Sequence, residues 1–268
     1  MTAMPRVLSD FLAEGDDLED LLAGLAPEHW RLPTPAPGWT VAHQVAHLAS
    51  VFRMAALSAG DPERFAAMAA GLSDDFEANV AAALAGYLGD PPDRLLRRWR
   101  EERIAAAKAL GSGPLDRIVP WLVRPMPASF LGAAGVMELF AHGQDVADAV
   151  GVRREYTDRI EHLVGFAVRN RDFGFEVRGL AAPKDPFRFE LTAPSGAQWA
   201  YGPADAPQRV TGSAVDFCLL TTRRRHRDDL DVRAEGRDAD RWLDVAQAYR
   251  GPSGEGRRPG QFRMAEAD

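Results

Sequence analysis

Apolar side chains recur at helical spacing over residues 7–25, at Val7, Leu8, Phe11, Leu12, Leu18, Leu21, Leu22 and Leu25. This predicts an amphipathic helix. The run Pro33-Thr34-Pro35-Ala36-Pro37-Gly38 follows, and three prolines so close together cannot sit inside a helix. A second helix is predicted from Thr40, which can cap it, with Val41, Val45, Leu48, Phe52 and Ala55 as its apolar stripe. Asp61-Pro62 can start a further turn of helix. Residues 75–87 are Ala-rich, Pro91-Pro92 opens a helix over 93–110, and Trp121 to Pro127 reads as an irregular connection. A long helix is predicted over 128–150, stopped near Gly151, and another over 157–170.

Past Gly179 the period changes. Phe187 to Thr192 alternates apolar and polar, as a half-buried strand does. Pro194-Ser195-Gly196 is a turn signal, and Gln198 to Tyr201 reads as the return strand. Strands at 208–211 and 230–233, a short helix at 212–220 and an amphipathic helix at 238–249 complete the expectation. The chain therefore reads as α+β, with a helical bundle over residues 1–175 and a small α+β domain over 176–268.

The helix over 128–150 carries the candidate chemistry. At about 100° per residue, Glu138, His142 and Asp145 fall in one narrow sector, while Ala133, Val136, Phe140 and Ala147 occupy the opposite side. A helix apolar over most of its circumference is usually buried. Ionisable groups in such a place are costly unless they pair or bind metal. A carboxylate and an imidazole four residues apart can reach one ion; they can equally satisfy each other inside a bundle. Asp145 lies one turn further on, able to ligate or to orient His142. The helix from Thr40 carries His43 and His47, also four apart, both away from its apolar stripe. Two histidines and a carboxylate from two helices make an open site for Zn, Fe, Ni or Mn. His29, His162 and His226 read as structural.

Composition narrows the class. At 268 residues the chain is long enough for two domains, and no apolar run approaches the ~20 residues needed to cross a bilayer. The first ten residues show no secretory signal, and Cys218, the single cysteine, excludes an internal disulfide. A cytoplasmic protein with no membrane partner is expected. The net charge of −7 is spread along the chain, so no nucleic-acid partner is expected. The basic run Arg223-Arg224-Arg225-His226-Arg227 reads as a solvated turn or, more sharply, an anion-binding edge. Arg257-Arg258 reads as keeping the tail solvated or, as the alternative, as binding a substrate carboxylate. Neither a phosphate loop nor a Gly-x-Ser-x-Gly elbow occurs, and Cys218 sits in an apolar run as a core residue.

The stretch Thr34-Pro35-Ala36-Pro37-Gly38-Trp39-Thr40-Val41-Ala42-His43-Gln44-Val45-Ala46-His47-Leu48-Ala49 resembles the Gly-Trp-Thr…His-Leu segment of DinB-like metal proteins. More closely, it resembles the mycothiol-dependent maleylpyruvate isomerase superfamily. Met137-Glu138-Leu139-Phe140-Ala141-His142-Gly143-Gln144-Asp145 is similar to that superfamily's Glu-x-x-x-His-x-x-Asp helix. Two further blocks, Val210 to Cys218 and Asp240 to Tyr249, resemble an actinobacterial metal-binding branch loosely labelled "wyosine base formation". The resemblance implies a DinB-like four-helix bundle followed by an α/β domain of sterol-carrier-like type. It also implies metal ligation by His47, Glu138 and His142, leaving His43 as a supporting or substrate-facing group.

Two departures stand out. Relatives commonly carry an arginine where this chain has Gly135, a change expected to enlarge and neutralise the pocket. Ser50-Val51-Phe52-Arg53 replaces an aromatic–acidic pair. Both point to a repurposed pocket, for example one in secondary metabolism.

The function expected is a metal-dependent enzyme acting on a small organic substrate, an isomerase or an S-transferase using mycothiol. Zinc comes first among the metals. His43 or Asp145 would assist proton transfer. The alternatives are a thiol-independent cyclase, lyase or hydrolase, and a non-catalytic metal-dependent binding module. The chain is expected to act as a monomer or homodimer.

Overall fold

The computed structural model describes residues 4–262. It mixes helices with small sheets and divides into two compact units, Met1–Arg154 and Glu155–Asp268. The sequence pattern placed the boundary later, at 175/176. The helix over Glu161–Arg169, read there as part of the first body, packs against a helix of the second unit.

The first unit is helical. Its elements are α1 (Arg6–Ala23), α2 (Val41–Gly60), α3 (Pro62–Ala70), α4 (Phe76–Leu88), α5 (Pro92–Leu110) and α6 (Ala128–Val150). The punctuation that sets them is visible residue by residue. Asp61 and Asp75 accept from the backbone N–H groups of Arg64 and Ala78 and cap α3 and α4. Gly151 ends α6 at φ 71°, in the left-handed region where a side chain is strained. α2 packs on α5 and α6, and α1 packs on the same two helices. Trp99, Phe52, Phe140 and Leu48 are fully buried between them. The connection before α6 contains a two-residue hairpin, β1 (Ile118–Val119) with β2 (Met126–Pro127). It is too short to leave an alternating pattern in the sequence.

α1 and α5 are held by a buried cation. Arg103 is 2% exposed. It donates to the Leu12 carbonyl at 2.9 Å, to Asp16 at 2.7 Å and to Glu19 at 3.0 Å. Gly15 makes room for it: a Cβ there would lie 2.0 Å from Arg103 Nη1.

The second unit carries α7 (Glu161–Arg169), α8 (Phe173–Glu176), β3 (Phe187–Thr192), β4 (Gln198–Tyr201), β5 (Gln208–Ser213), α9 (Ala214–Thr221), β6 (Val232–Glu235) and α10 (Arg237–Val245). The strands form one sheet in the order β4-β3-β5-β6, with β3 and β5 parallel and the other pairs antiparallel. The inward positions of β3, Phe187 and Phe189, meet Trp242 of α10 edge to face. Phe217 of α9 stacks on the same indole. Cys218 is fully buried there.

Two expectations need correction. The helix expected over 238–249 stops at Val245. The Val245 carbonyl accepts from Arg178 at 3.1 Å, and the chain turns so that Ala248 N–H donates to the Thr221 carbonyl. The arginine run is not a solvated turn. Arg224 is 9% exposed, Arg223 Nε is buried, and Arg225 lies over the Phe262 ring at 3.9 Å. Arg257, read as solvating the tail, also has a buried Nε. Arg224 and Arg225 also donate to the Thr222 and Arg224 carbonyls, so these cations are taken up by local backbone and ring partners, which charge alone does not reveal.

Gly15→Ala is expected to lower unfolding stability by about 1–3 kcal/mol, the usual cost of overpacking, although alanine is the better helix former. Urea denaturation measures it, and an unchanged or raised midpoint would contradict the packing described.

Candidate metal centre

The start of α2 is organised by the proline-rich segment. Pro33 and Thr40 form an isolated antiparallel bridge, Thr34 N–H donates to the Trp39 carbonyl at 2.7 Å, and Gly38 turns the chain at φ 76°. Thr40 and His43 then form a capping box in which an imidazole takes the place of the usual carboxylate or amide. Thr40 N–H donates to His43 Nδ1 at 3.3 Å, and the Thr40 hydroxyl lies 2.8 Å from the same nitrogen.

One turn further along α2, His47 faces α6. Its Nε2 is 3.5 Å from Glu138 Oε2, and His142 Nε2 is 3.2 Å from the same oxygen. The three groups offer ligand atoms that all lie within 4.8 Å of one another. Their side chains keep only 19%, 19% and 13% exposure for His47, Glu138 and His142. On the same two helices Val45, Ala46, Leu48, Val136, Leu139 and Phe140 are fully buried. Burial by itself would push the Glu138 carboxyl up. The hydrogen bonds and charges of His142 and His47 outweigh it and hold the group far below the usual carboxylate range.

The spacing is a test of what the trio fits. A tetrahedral ion with bonds of about 2.0–2.1 Å holds its ligand atoms roughly 3.4 Å apart. The two contacts to Glu138 Oε2 straddle that value. Two imidazoles and one carboxylate are also the donor set of open, three-ligand sites. The residues fit a metal.

Trp39 lies over this group. Its ring centroid is 5.3 Å from that of His47 and 6.0 Å from that of His142, nearly parallel to the latter, and the two imidazoles are 4.5 Å apart. His43 lies outside the trio, 6.4 Å from the indole on the centroid measure. Burial pushes its pKa down. Asp145, one turn beyond His142 on α6, is fully buried and also outside the trio.

Known proteins can now be set beside this geometry. The family model of the mycothiol maleylpyruvate isomerase N-terminal domain matches residues 11–147, a span that includes the whole trio. The chain belongs to this family. A second model, described as wyosine base formation, matches residues 183–235. In two strains of Mycobacterium tuberculosis, CDC 1551 / Oshkosh and ATCC 25618 / H37Rv, an uncharacterised protein is 45% identical over 257 residues. That match covers 93% of this chain and 97% of the relative. Crystal structures of the mycothiol-dependent maleylpyruvate isomerase, and of a histidine-to-alanine mutant of it, share the fold. Each has a TM-score of 0.56 at 17% identity, over 87% of this chain and 95% of the other.

Within this isomerase family chain, the expectation that Gly135 enlarges the pocket is not met. A Cβ at that position would lie 2.8 Å from Phe11 Cε2 and 2.9 Å from Phe11 Cδ2. The α1 phenylalanine, itself edge to face with Phe52 at 5.0 Å, fills the space a side chain would take. Sequence reasoning also gave no role to Gln44, Thr34 or Trp39. Gln44 is fully buried, and His142 Nδ1 donates to its Oε1 at 2.5 Å. The signal was there, because Gln44 sits three residues before His47 and therefore on the same side of α2.

Since the folded-state pKa of Glu138 is depressed, its contribution to stability is present above the ordinary carboxylate range and is lost as pH falls through and below about 4. Glu138→Gln is therefore expected to lower metal-free stability by roughly 1–3 kcal/mol at pH 7. The gap between variant and parent should narrow at pH 3. Paired urea titrations at the two pH values measure this, and a gap that widens on acidification would contradict the assignment.

Proposed function

We propose that this protein is a metal-dependent enzyme of mycothiol chemistry, acting on a small organic substrate as an isomerase or S-transferase. The observation that supports the reading is that two imidazole Nε2 atoms, of His47 and His142, lie 3.5 and 3.2 Å from Glu138 Oε2, near the ligand–ligand distance on one tetrahedral ion. Zinc is the metal we assign, because two imidazoles and a carboxylate are the donor set of its open sites, and mycothiol is the thiol we assign, by membership of the family. We read the helical unit as a DinB-like four-helix bundle and the second unit as sterol-carrier-like, a division of labour in which the trio belongs to the first.

A zinc ion bound here would supply Lewis acidity and lower the pKa of a water or thiol beside it. The rest falls to the chain. Glu138 offsets part of the ion's charge, and the apolar bed around the trio keeps bulk water from weakening that attraction. Trp39 presents a flat wall beside the centre and limits how a substrate approaches.

We assign proton transfer to His43 or Asp145 and favour His43, because Asp145 is fully enclosed. His43 Nδ1 accepts from Thr40 N–H, so the neutral ring carries its proton on Nε2. Its lowered pKa keeps it neutral at pH 7. It is therefore a donor from Nε2 rather than a standing cation.

Protein purified without added metal or chelator is expected to hold about one metal ion per chain. His47→Ala, Glu138→Ala and His142→Ala should each lose it while keeping their helical circular dichroism. Affinity should also fall as the pH is lowered, because both imidazoles must be unprotonated to bind. Full occupancy in the three variants would remove the site. Titration calorimetry separates the thiol question: mycothiol should bind the zinc-loaded protein and not the metal-free form, and heat from neither would rule out the thiol half of the proposal.

A further inference from the structure

His142 is gripped on two sides, by the loop ahead of α2 and by α2 itself. Its ring face is stacked under Trp39, and its Nδ1 is 2.5 Å from Gln44 Oε1. Gln44 in turn donates from Nε2 to Thr34 Oγ1 at 2.8 Å, and the Thr34 hydroxyl donates to the Trp39 carbonyl at 2.9 Å. These contacts have a direction that donor and acceptor chemistry alone decides. A carbonyl oxygen only accepts, so the Thr34 proton is spent on Trp39 and Oγ1 must accept from Gln44. The amide nitrogen of Gln44 therefore faces Thr34, and its amide oxygen faces His142. An amide oxygen also only accepts, so His142 Nδ1 must carry a proton. The one nitrogen left to face an ion is Nε2, 3.2 Å from Glu138 Oε2; without an ion it donates to that carboxylate, and it gives up that proton on ligation.

We propose that Gln44 is a positioning residue for the centre, with Thr34 as the group that orients it. The Trp39–Thr34–Gln44 chain fixes His142 in the form whose Nε2 can ligate. The proposal rests on the reading of the trio as a metal site, since its purpose is ligation, but the Nδ1 proton it requires exists without any ion. Gln44 is fully buried on α2. A side chain there without a partner would be costly, so the orientation is held by the whole chain of bonds rather than by any one of them.

The consequence for binding is quantitative. Removing the partner that orients a ligating histidine typically weakens metal affinity about 10–100-fold. Gln44→Leu keeps the volume of the side chain and removes the acceptor, and is expected to weaken zinc binding by about that factor. Gln44→Glu restores an acceptor at Nδ1 and should return affinity to the parental range. Thr34→Val leaves the amide free to turn over and should fall between the two.

The test pairs zinc affinity, measured by competition with a chromophoric chelator, with two-bond proton–nitrogen spectra of the imidazoles. The spectra are recorded on metal-free and zinc-loaded protein. A protonated Nδ1 on His142 in both forms, together with loss of affinity in Gln44→Leu and its recovery in Gln44→Glu, supports the proposal. Affinity in Gln44→Leu within twofold of the parent, or an unprotonated Nδ1 in the parent, overturns it. If the parent binds no zinc, the proposed function fails, and the Nδ1 signal of the metal-free protein alone decides the relay. Should Gln44→Leu not fold, Gln44→Glu against Thr34→Val gives the same comparison.

Discussion

A carboxylate on a helix that is apolar over most of its surface must find partners before that helix can be buried. In this protein the helix is α6, and the carboxylate is Glu138. Its partners are one imidazole four residues along the same helix and another from α2. That requirement ties α2 to α6 at a defined register, because His47 reaches the Glu138 oxygen only when one helix is neither slid nor rotated along the other. The ring of contacts through α1 and α5 then closes around this pair. The acid is held ionised in a place where burial alone would neutralise it. A carboxylate kept ionised in such a place, with two imidazoles facing its oxygen, is a good receptor for a cation.

The loop ahead of α2 extends the same logic outward. It places an indole on the ring faces and sends a chain of hydrogen bonds to the outer nitrogen of His142. Side chains on helices give the three inner atoms their spacing, and a proline-rich loop gives one ring its orientation. The prolines matter because they leave the loop few alternative conformations. His43 serves the helix as a cap through one nitrogen while its other nitrogen is the one assigned to chemistry.

Much of this was legible in the chain itself. The limits of α6 could be read to the residue, since Pro127 opens it and Gly151 closes it. Helical spacing alone put Glu138 and His142 on one face, and family resemblance completed the trio with His47. What stayed hidden has physical reasons. Gln44 looks like any polar residue on a helix until the partner helix is known, because the donor it meets is 98 residues away. The arginines at 223–225 carry the charge of a solvated turn, yet Arg224 is buried and donates to the Thr222 carbonyl, and Arg225 lies over the Phe262 ring. The unit boundary was displaced because α7 has the period of the bundle helices, and period does not say which neighbour a helix packs on.

Gly135 and Phe11 show how such a fold constrains its own history. With a Cβ at 135 only 2.8 Å from the phenylalanine ring, the two positions form one steric unit shared by α1 and α6. A lineage that first added a side chain at 135 would meet a clash. One that first trimmed Phe11 would pass through a cavity costing about 3–5 kcal/mol, a large part of the stability of an ordinary domain. A larger residue at 135 is thus separated from glycine by a valley that single substitutions do not cross cheaply. The two positions behave as one inherited unit, free to change size only together.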